Sequence, residues 1–298
     1  MRSNSSRLLG NKTRAWVLFV VPAIVFVAVF SLYPLLNVVY LSFQKYNAAS
    51  GSKITFTGFR NYINMMGSEQ FLNSLKVTFI YTFIGVVSTM IFGILLALLL
   101  NRQGKMISVM RGIALMPMLI CGAALTIAWM LLYNSNFGLF NIILEMLHMP
   151  PVNWLATPGI TLYALAITDT WQCTPFVMIL TLAGMQGISN EYYEAAAIDG
   201  ANKIQIFFKI TLPLLKNVLL MVLIMRIIDE VKVFEKPYLM ANKGGPMNTT
   251  ELITVYVYKQ SFERWEYGVG ATGSLIVAIM IAVLTLAIIK LSRVNTNA

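Results

Sequence analysis

Apolar residues gather in runs far longer than a soluble helix needs, separated by short polar segments. Crossing ~30 Å of hydrocarbon takes about 20 largely apolar residues. Six stretches of that kind lie at residues 16–43, 71–100, 112–133, 158–185, 214–234 and 268–289. The pattern predicts an all-α, polytopic membrane protein with six transmembrane helices. The first run follows Arg2, Arg7, Lys12 and Arg14, the basic start of a secretory signal. Its apolar stretch is twice a signal's usual length and no small-x-small cleavage site follows, so it reads as an uncleaved first span whose straight part kinks or ends near Pro34.

Composition sharpens this picture. Hydrophobic residues make up 58% of the 298 and charged residues only 11%, against about a quarter in soluble domains. A water-soluble fold and a disordered chain are both excluded. The net charge of +10 reads as topology rather than nucleic-acid binding, because basic residues collect on the cytoplasmic side of spans. With both termini inside, the inner segments hold twelve basic residues and the outer segments nine, with Arg226 inside a span. Cys121 and Cys173 both lie in apolar stretches, which suits buried thiols better than a disulfide or metal pair. No catalytic or metal-binding residues are expected.

The inner segment between the fourth and fifth spans carries the most informative pattern. Residues 189–213 read as a short helix, a break and a second short helix leading into a span. Ser189 or Asn190 can cap the first helix, Glu191 and Glu194 sit in its early turns, and Gly200 can supply the left-handed residue that ends it. Ile204, Phe207 and Phe208 then make an apolar stripe opposite Asn202, Lys203, Gln205 and Lys209. Pro213 fits the first turn of the following span. Ala195, Ala196 and Ala197 permit close approach by another surface; a helix that lies on the bilayer interface is the alternative reading of the same pattern.

The spacing Glu194-Ala195-Ala196, Gly200 and Ile210-Thr211-Leu212-Pro213 resembles the cytoplasmic loop signature of permease subunits of binding-protein-dependent ATP-binding-cassette (ABC) importers. Residues 56–62 (FTGFRNY), 137–141 (FGLFN), 244–250 (GGPMNTT) and 256–258 (YVY) resemble segments of the sugar-type importers in the same order. The Gly-Gly-Pro segment is similar to the maltose and glycerol-phosphate first permease subunit, here without that maltose subunit's extra N-terminal spans and large outer domain. The resemblance implies a multi-pass protein of the bacterial cytoplasmic membrane, with a cytoplasmic coupling helix docking on a separate ATPase. By motif position Glu194, Ala195, Ala196 and Gly200 would carry the coupling, flanked by Tyr193, Asp199 and Lys203. It also implies a second permease subunit as heterodimer partner, an ATPase dimer, an extracytoplasmic binding protein and a carbohydrate or polyol solute. ATP and Mg²⁺ would be bound in the partner ATPase, since this sequence has no Gly-x-x-x-x-Gly-Lys-Ser/Thr phosphate loop. Residues 1–15 and 291–298 would be cytoplasmic tails and 16–290 the transmembrane domain.

Charges deep in a span cost roughly 3 kcal/mol each on insertion scales. Eleven residues from Pro158 at ~1.5 Å each put Asp169 about 16 Å deep. Around it Trp171, Gln172 and Thr174 are candidates to line a solute path by stacking and hydrogen bonding. Arg226, Asp229 and Glu230, at i, i+3 and i+4, form a second polar cluster. It reads as an ion network that fixes helix packing, or as a lining or outer gate of the path. Two other classes are weighed: a secondary transporter with Asp169 as an ion site, and an intramembrane lipid-modifying enzyme using the Arg226 cluster.

Overall fold

The computed structural model describes residues 20–51 and 53–294. The expected tail over residues 1–15 and the start of the first span lie outside the described residues, as do residues 295–298 of the other tail. Helix α1, Val20–Ser42, precedes a strand pair, β1 (Gln44–Lys45) and β2 (Thr55–Phe56), and then α2 (Arg60–Met66), α3 (Glu69–Leu100), α4 (Lys105–Leu119), α5 (Gly122–Leu132) and α6 (Leu139–Met146). There follow α7 (Ile160–Gln186), α8 (Asn190–Ile198), α9 (Lys203–Leu214), α10 (Lys216–Lys232), α11 (Glu235–Met240), α12 (Ile253–Tyr258) and α13 (Tyr267–Val294).

Among the described residues three helices are long and apolar enough to cross a membrane: α1, α3 and the Tyr267–Lys290 part of α13. The number rises to five when each of two bent pairs is taken as one span. The chain is a multi-pass, all-α membrane protein. Helix α7 has the length, 27 residues, but Thr168, Asp169, Thr170, Gln172 and Thr174 dilute its apolar character.

The breaks have local causes. The run expected as one span over 112–133 is two helices, α4 and α5, bent by 94°. Pro117 removes one N–H near the end of α4, Ile120 and Cys121 are extended, and the helix restarts at Gly122. The Ile120 carbonyl freed at the break accepts from Gln172 Nε2 at 3.4 Å. A second bend, of 70°, separates α9 from Lys216–Met240 and falls at the very start of the run read over 214–234. Pro213 opens the turn Leu212–Leu214 just ahead of that bend. Pro34 does not end α1. A π-turn at Ala28–Leu32 widens the ladder where the proline ring would otherwise meet the Phe30 carbonyl, and the helix runs on to Ser42.

Two compact units make up the fold, one of residues up to Met65 with Val257–Ile276, the other of Met66–Tyr256 with residues from Val277 on. In the first, the end of α1 is tied down by polar side chains. The Ser42 carbonyl accepts from Asn61 Nδ2 at 2.9 Å and Thr272 Oγ1 at 3.0 Å, and Tyr62 donates to Ser42 Oγ at 2.8 Å. Asn61 and Tyr62 belong to the segment 56–62, so that segment closes a helix end. In the second unit α3 and α7 pack along one another. A Cβ at Gly93 would lie 2.4 Å from Val177 Cβ, so only glycine permits the approach. One apolar cluster gathers Tyr81, Leu125, Trp129, Tyr133 and Leu165; a second gathers Ala97, Leu100, Met178, Met185 and Leu215. The segment 137–141 is also structural. Asn141 Nδ2 donates to the Ser135 and Val152 carbonyls, both at 3.0 Å, while its Oδ1 accepts from Val152 N and Trp154 Nε1.

Candidate functional site

The loop 189–213 is built from capped pieces. Ser189 has extended backbone and its Oγ accepts from Glu191 N at 3.4 Å, opening α8. The helix closes with Gly200 at φ +74°. Gly200 N donates to Ala197 O at 3.1 Å and Ala201 N to Ala196 O at 2.9 Å, the paired bonds of a Schellman motif. Two residues later a capping box starts α9: Gln205 N donates to Asn202 Oδ1 at 2.9 Å, and Asn202 N to Gln205 Oε1 at 2.8 Å. Both helix ends are thus satisfied within the loop.

What the loop leaves open is its surface. Glu194, Ala195, Asp199, Gly200 and Lys203 are exposed, whereas Ala196 is buried. Ile198 is 86% exposed and Ile204 71%, with Tyr192 and Phe208 also exposed. Of the stripe read as Ile204, Phe207 and Phe208, only Phe207 is half-buried. Tyr193 turns back, its hydroxyl 3.4 Å from Thr211 Oγ1.

The intramembrane charges behave in the opposite way. Arg226 Nη2 on α10 donates to Asp169 Oδ2 on α7 at 2.8 Å and also to Glu230 Oε1 one turn on. Lys236 Nζ on α11 donates to Asp169 Oδ1 at 2.5 Å. Arg226 Nε reaches Thr89 Oγ1 on α3 at 3.4 Å. All four charged side chains are at least 96% buried. Two acids and two cations balance, which is what a low-dielectric site requires. Gly85 on α3 makes the room: a Cβ there would come within 2.3 Å of Glu230 Oε1.

The structure therefore separates residues that the sequence grouped. Asp229 is exposed and takes no part in this knot, because α10 buries Val222, Arg226 and Glu230 at intervals of four and Asp229 falls off that line. Asp169 faces Arg226 and Lys236. Lys236, one of the nine basic residues that the sequence puts in outer segments, is buried and central. Charge balance was the signal that could have found it: Asp169 and Glu230 need two cations, and Arg226 supplies one.

Trp171 and Thr174 lie elsewhere on α7, in a groove of about 990 Å³ between α3, α4 and α7. Tyr163, Phe92, Ser88 and Thr170 share its lining, which contains no charged side chain. Ser88 and Thr170 hydroxyls are 2.6 Å apart, and Trp171 stacks at a tilt on Trp129 with centroids 5.6 Å apart. Asp169 and Gln172 are not part of this lining.

Known proteins share both sequence and fold with the chain. The trehalose/maltose transport system permease protein MalF of Thermococcus litoralis is 35% identical over 289 residues, 97% of each chain. The sulfoquinovosyl glycerol transport system permease protein SmoG of Agrobacterium fabrum is 32% identical, covering 96% of this chain and 92% of its own. The first of these sources is archaeal and the second bacterial, so the similarity does not assign a bacterial origin. In fold, the chain is similar to a crystal structure of a bacterial ABC transporter that imports the acidic polysaccharide alginate. The TM-score is 0.83 at 23% identity, over 96% of this chain and 98% of that one. Residues 77–294, which hold the buried charges, the groove and the capped loop, match the family described as binding-protein-dependent transport system inner membrane component; this chain belongs to that family and is a transport subunit, not an enzyme.

Proposed function

We propose that the chain is one of two permease subunits of an ATP-driven importer for a neutral carbohydrate or polyol. In this reading residues 16–290 form a six-span transmembrane domain with both termini cytoplasmic, α7 and the two bent pairs serving as spans. The second permease subunit completes the path, a separate ATPase binds ATP and Mg²⁺, and an extracytoplasmic binding protein delivers the solute. The observation that carries the carbohydrate class is the full-length similarity to permeases named for trehalose/maltose and, at 31% identity, for arabinooligosaccharides.

The groove supports an uncharged solute. Trp171 and Tyr163 offer ring faces, and Ser88, Thr170 and Thr174 offer hydroxyls, a combination suited to sugar rings. The charges nearest in sequence are consumed in the Asp169–Arg226–Glu230–Lys236 knot, whose role here is to position α7, α10 and α11 so that they move as one piece. Coupling is assigned to the loop: Glu194 gives a fixed charge, Ala195 a close approach, Gly200 the turn, and Asp199 and Lys203 the flanks. When the ATPase closes, α8 would move with it and the pull would pass through the bend at Leu215 into α10 and the knot.

The test is solute uptake into proteoliposomes by the complex isolated with its own partner subunits. ATP-dependent accumulation of a neutral disaccharide, absent in Glu194→Ala/Gly200→Ala although that variant still inserts, is the expected result. Normal uptake by the double variant would remove the coupling assignment. Uptake that persists without ATP and collapses with the ion gradient would overturn the importer reading.

A further inference from the structure

A second cavity, of about 780 Å³, lies between the turn joining α3 to α4 and the start of α8. Its wall is polar and basic: Arg102, Ser108, Arg111, Gln186, Asn190 and Tyr193 contribute, and no carboxylate does. Arg111 is held in place. Its Nη2 donates to the Leu100 carbonyl at 2.8 Å and to the Arg102 carbonyl at 2.9 Å, and its Nε to Leu100 O at 3.2 Å. Those bonds leave the N–H groups of Nη1 without a partner among the described residues. The guanidinium is thus fixed by two carbonyls, with donors to spare and no counter-ion, a preorganised anchor for an acid. Two more cations stand beside it. Arg102 is exposed in the wall, and Lys105, three residues before Ser108 and so on the same side of α4, is exposed as well. None of the three takes part in an ion pair among the described residues. Residues 70–144 contain no Asp or Glu at all. The acids of α8, Glu191 and Glu194, are exposed and lie off the lining.

Where this chain supplies both signs of charge itself, as in the knot, it pairs them. Here three cations have no acid of their own, and charge complementarity asks for one from outside the chain. The cavity is far larger than a phosphate ion, and most of its wall is exposed to solvent. Such an open, roomy, polar site suits a protein segment bearing carboxylates better than a single small ion. Asn190 and Tyr193 of α8 form one side of it, so a partner seated on the exposed surface of α8 also reaches the cavity. We propose that the partner ATPase places a carboxylate-bearing segment in this cavity, its acid facing Arg111 and Arg102, as a second contact beside α8. The contact would tie the ATPase to the end of α3 and the start of α4 as well as to the coupling loop. The proposal rests on the importer reading for the identity of the partner; the need for an acid comes from the cavity itself.

The complex isolated from membranes with its own partner subunits is treated with a water-soluble carbodiimide, which joins a carboxylate to a lysine amine with no spacer. Linked peptides are identified by mass spectrometry. Lys105 is expected to be joined to an Asp or Glu of the ATPase. Lys105→Arg keeps the charge but has no amine, and should lose that product while the ATPase stays bound. Arg102→Gln, a change at an exposed side chain, should weaken retention of the ATPase about threefold and lower the salt concentration that releases it. An ATPase that stays bound while Lys105 forms no link to it overturns the proposal. So do links from Lys105 only to acids of this chain, or unchanged retention in Arg102→Gln. Inorganic phosphate that abolishes the link and leaves retention unchanged assigns the cavity to a soluble anion and also overturns it. A complex that contains no ATPase at all overturns the importer reading and this contact with it; the other outcomes overturn the contact alone.

Discussion

The buried knot and the loop 189–213 handle polar and apolar groups in opposite ways. In the knot, Asp169, Arg226, Glu230 and Lys236 find one another at 2.5–2.8 Å or closer and are shut away from both solvent and the groove. In the loop, backbone groups are satisfied internally while Ile198, Ile204 and Phe208 are left in the open. A membrane protein that buries its costly charges in a balanced set and exposes large apolar side chains on a rigid polar loop is using the first for internal cohesion. It uses the second for contact with something outside the chain.

The sharpest way to break the contrast is to unbalance the knot. Arg226→Met leaves two buried carboxylates facing one lysine and should cost about 3–5 kcal/mol, read as a lowered melting temperature in detergent. Adding Glu230→Met restores neutrality with Asp169 and Lys236 still paired, and should recover most of that loss. An Arg226→Met protein as stable as the parent would mean the knot contributes nothing to cohesion.

Next in size is the glycine that admits Glu230. Gly85→Ala places a methyl group within 2.3 Å of its carboxylate and should cost about 1–3 kcal/mol by overpacking. Gly112→Ala is the control: nothing lies within 4 Å of a Cβ there, so better helix propensity should make it neutral or stabilising by up to ~1 kcal/mol.

Changes in the loop should barely move global stability. Gly200→Ala forces a Cβ into left-handed backbone at about 1 kcal/mol, seen as faster amide exchange at Ala201, whose N–H closes the turn. Ser189→Ala removes one long capping bond, worth about 0.5 kcal/mol, and should accelerate exchange at Glu191 alone. If either loop change lowered the melting temperature as far as Arg226→Met, the loop would be part of the core and its exposure would carry no functional meaning.

Much of this was legible along the chain. The apolar runs mark where α1, α3, α7 and α13 lie, because helices in lipid must be long and apolar whatever they pack against. The loop was legible in detail, Ser189 as cap and Gly200 as left-handed terminus, because capping depends on residues within one turn. Its outward stripe was less so, since Phe207 is half-buried while Ile204 and Phe208 are exposed.

The knot was legible only in part: the i,i+4 spacing of Arg226 and Glu230 marks an ion pair on one helix, but the place of Lys236 in it and the exclusion of Asp229 were not. Its members are separated by up to 67 positions, and only the packing of α7 and α10 against α3, with α11 set against α5 and α7, selects Lys236 as partner and leaves Asp229 out. The same holds for the groove, where Trp171 and Thr174 face open space while Asp169 and Gln172, on the same helix, are turned to an ion pair and to a broken helix end. Local chemistry set the helices, caps and breaks, because those involve atoms a few bonds apart. Which charges were to be neutralised, and which side chains were left to meet a solute, followed from long-range contacts that form when the helices come together.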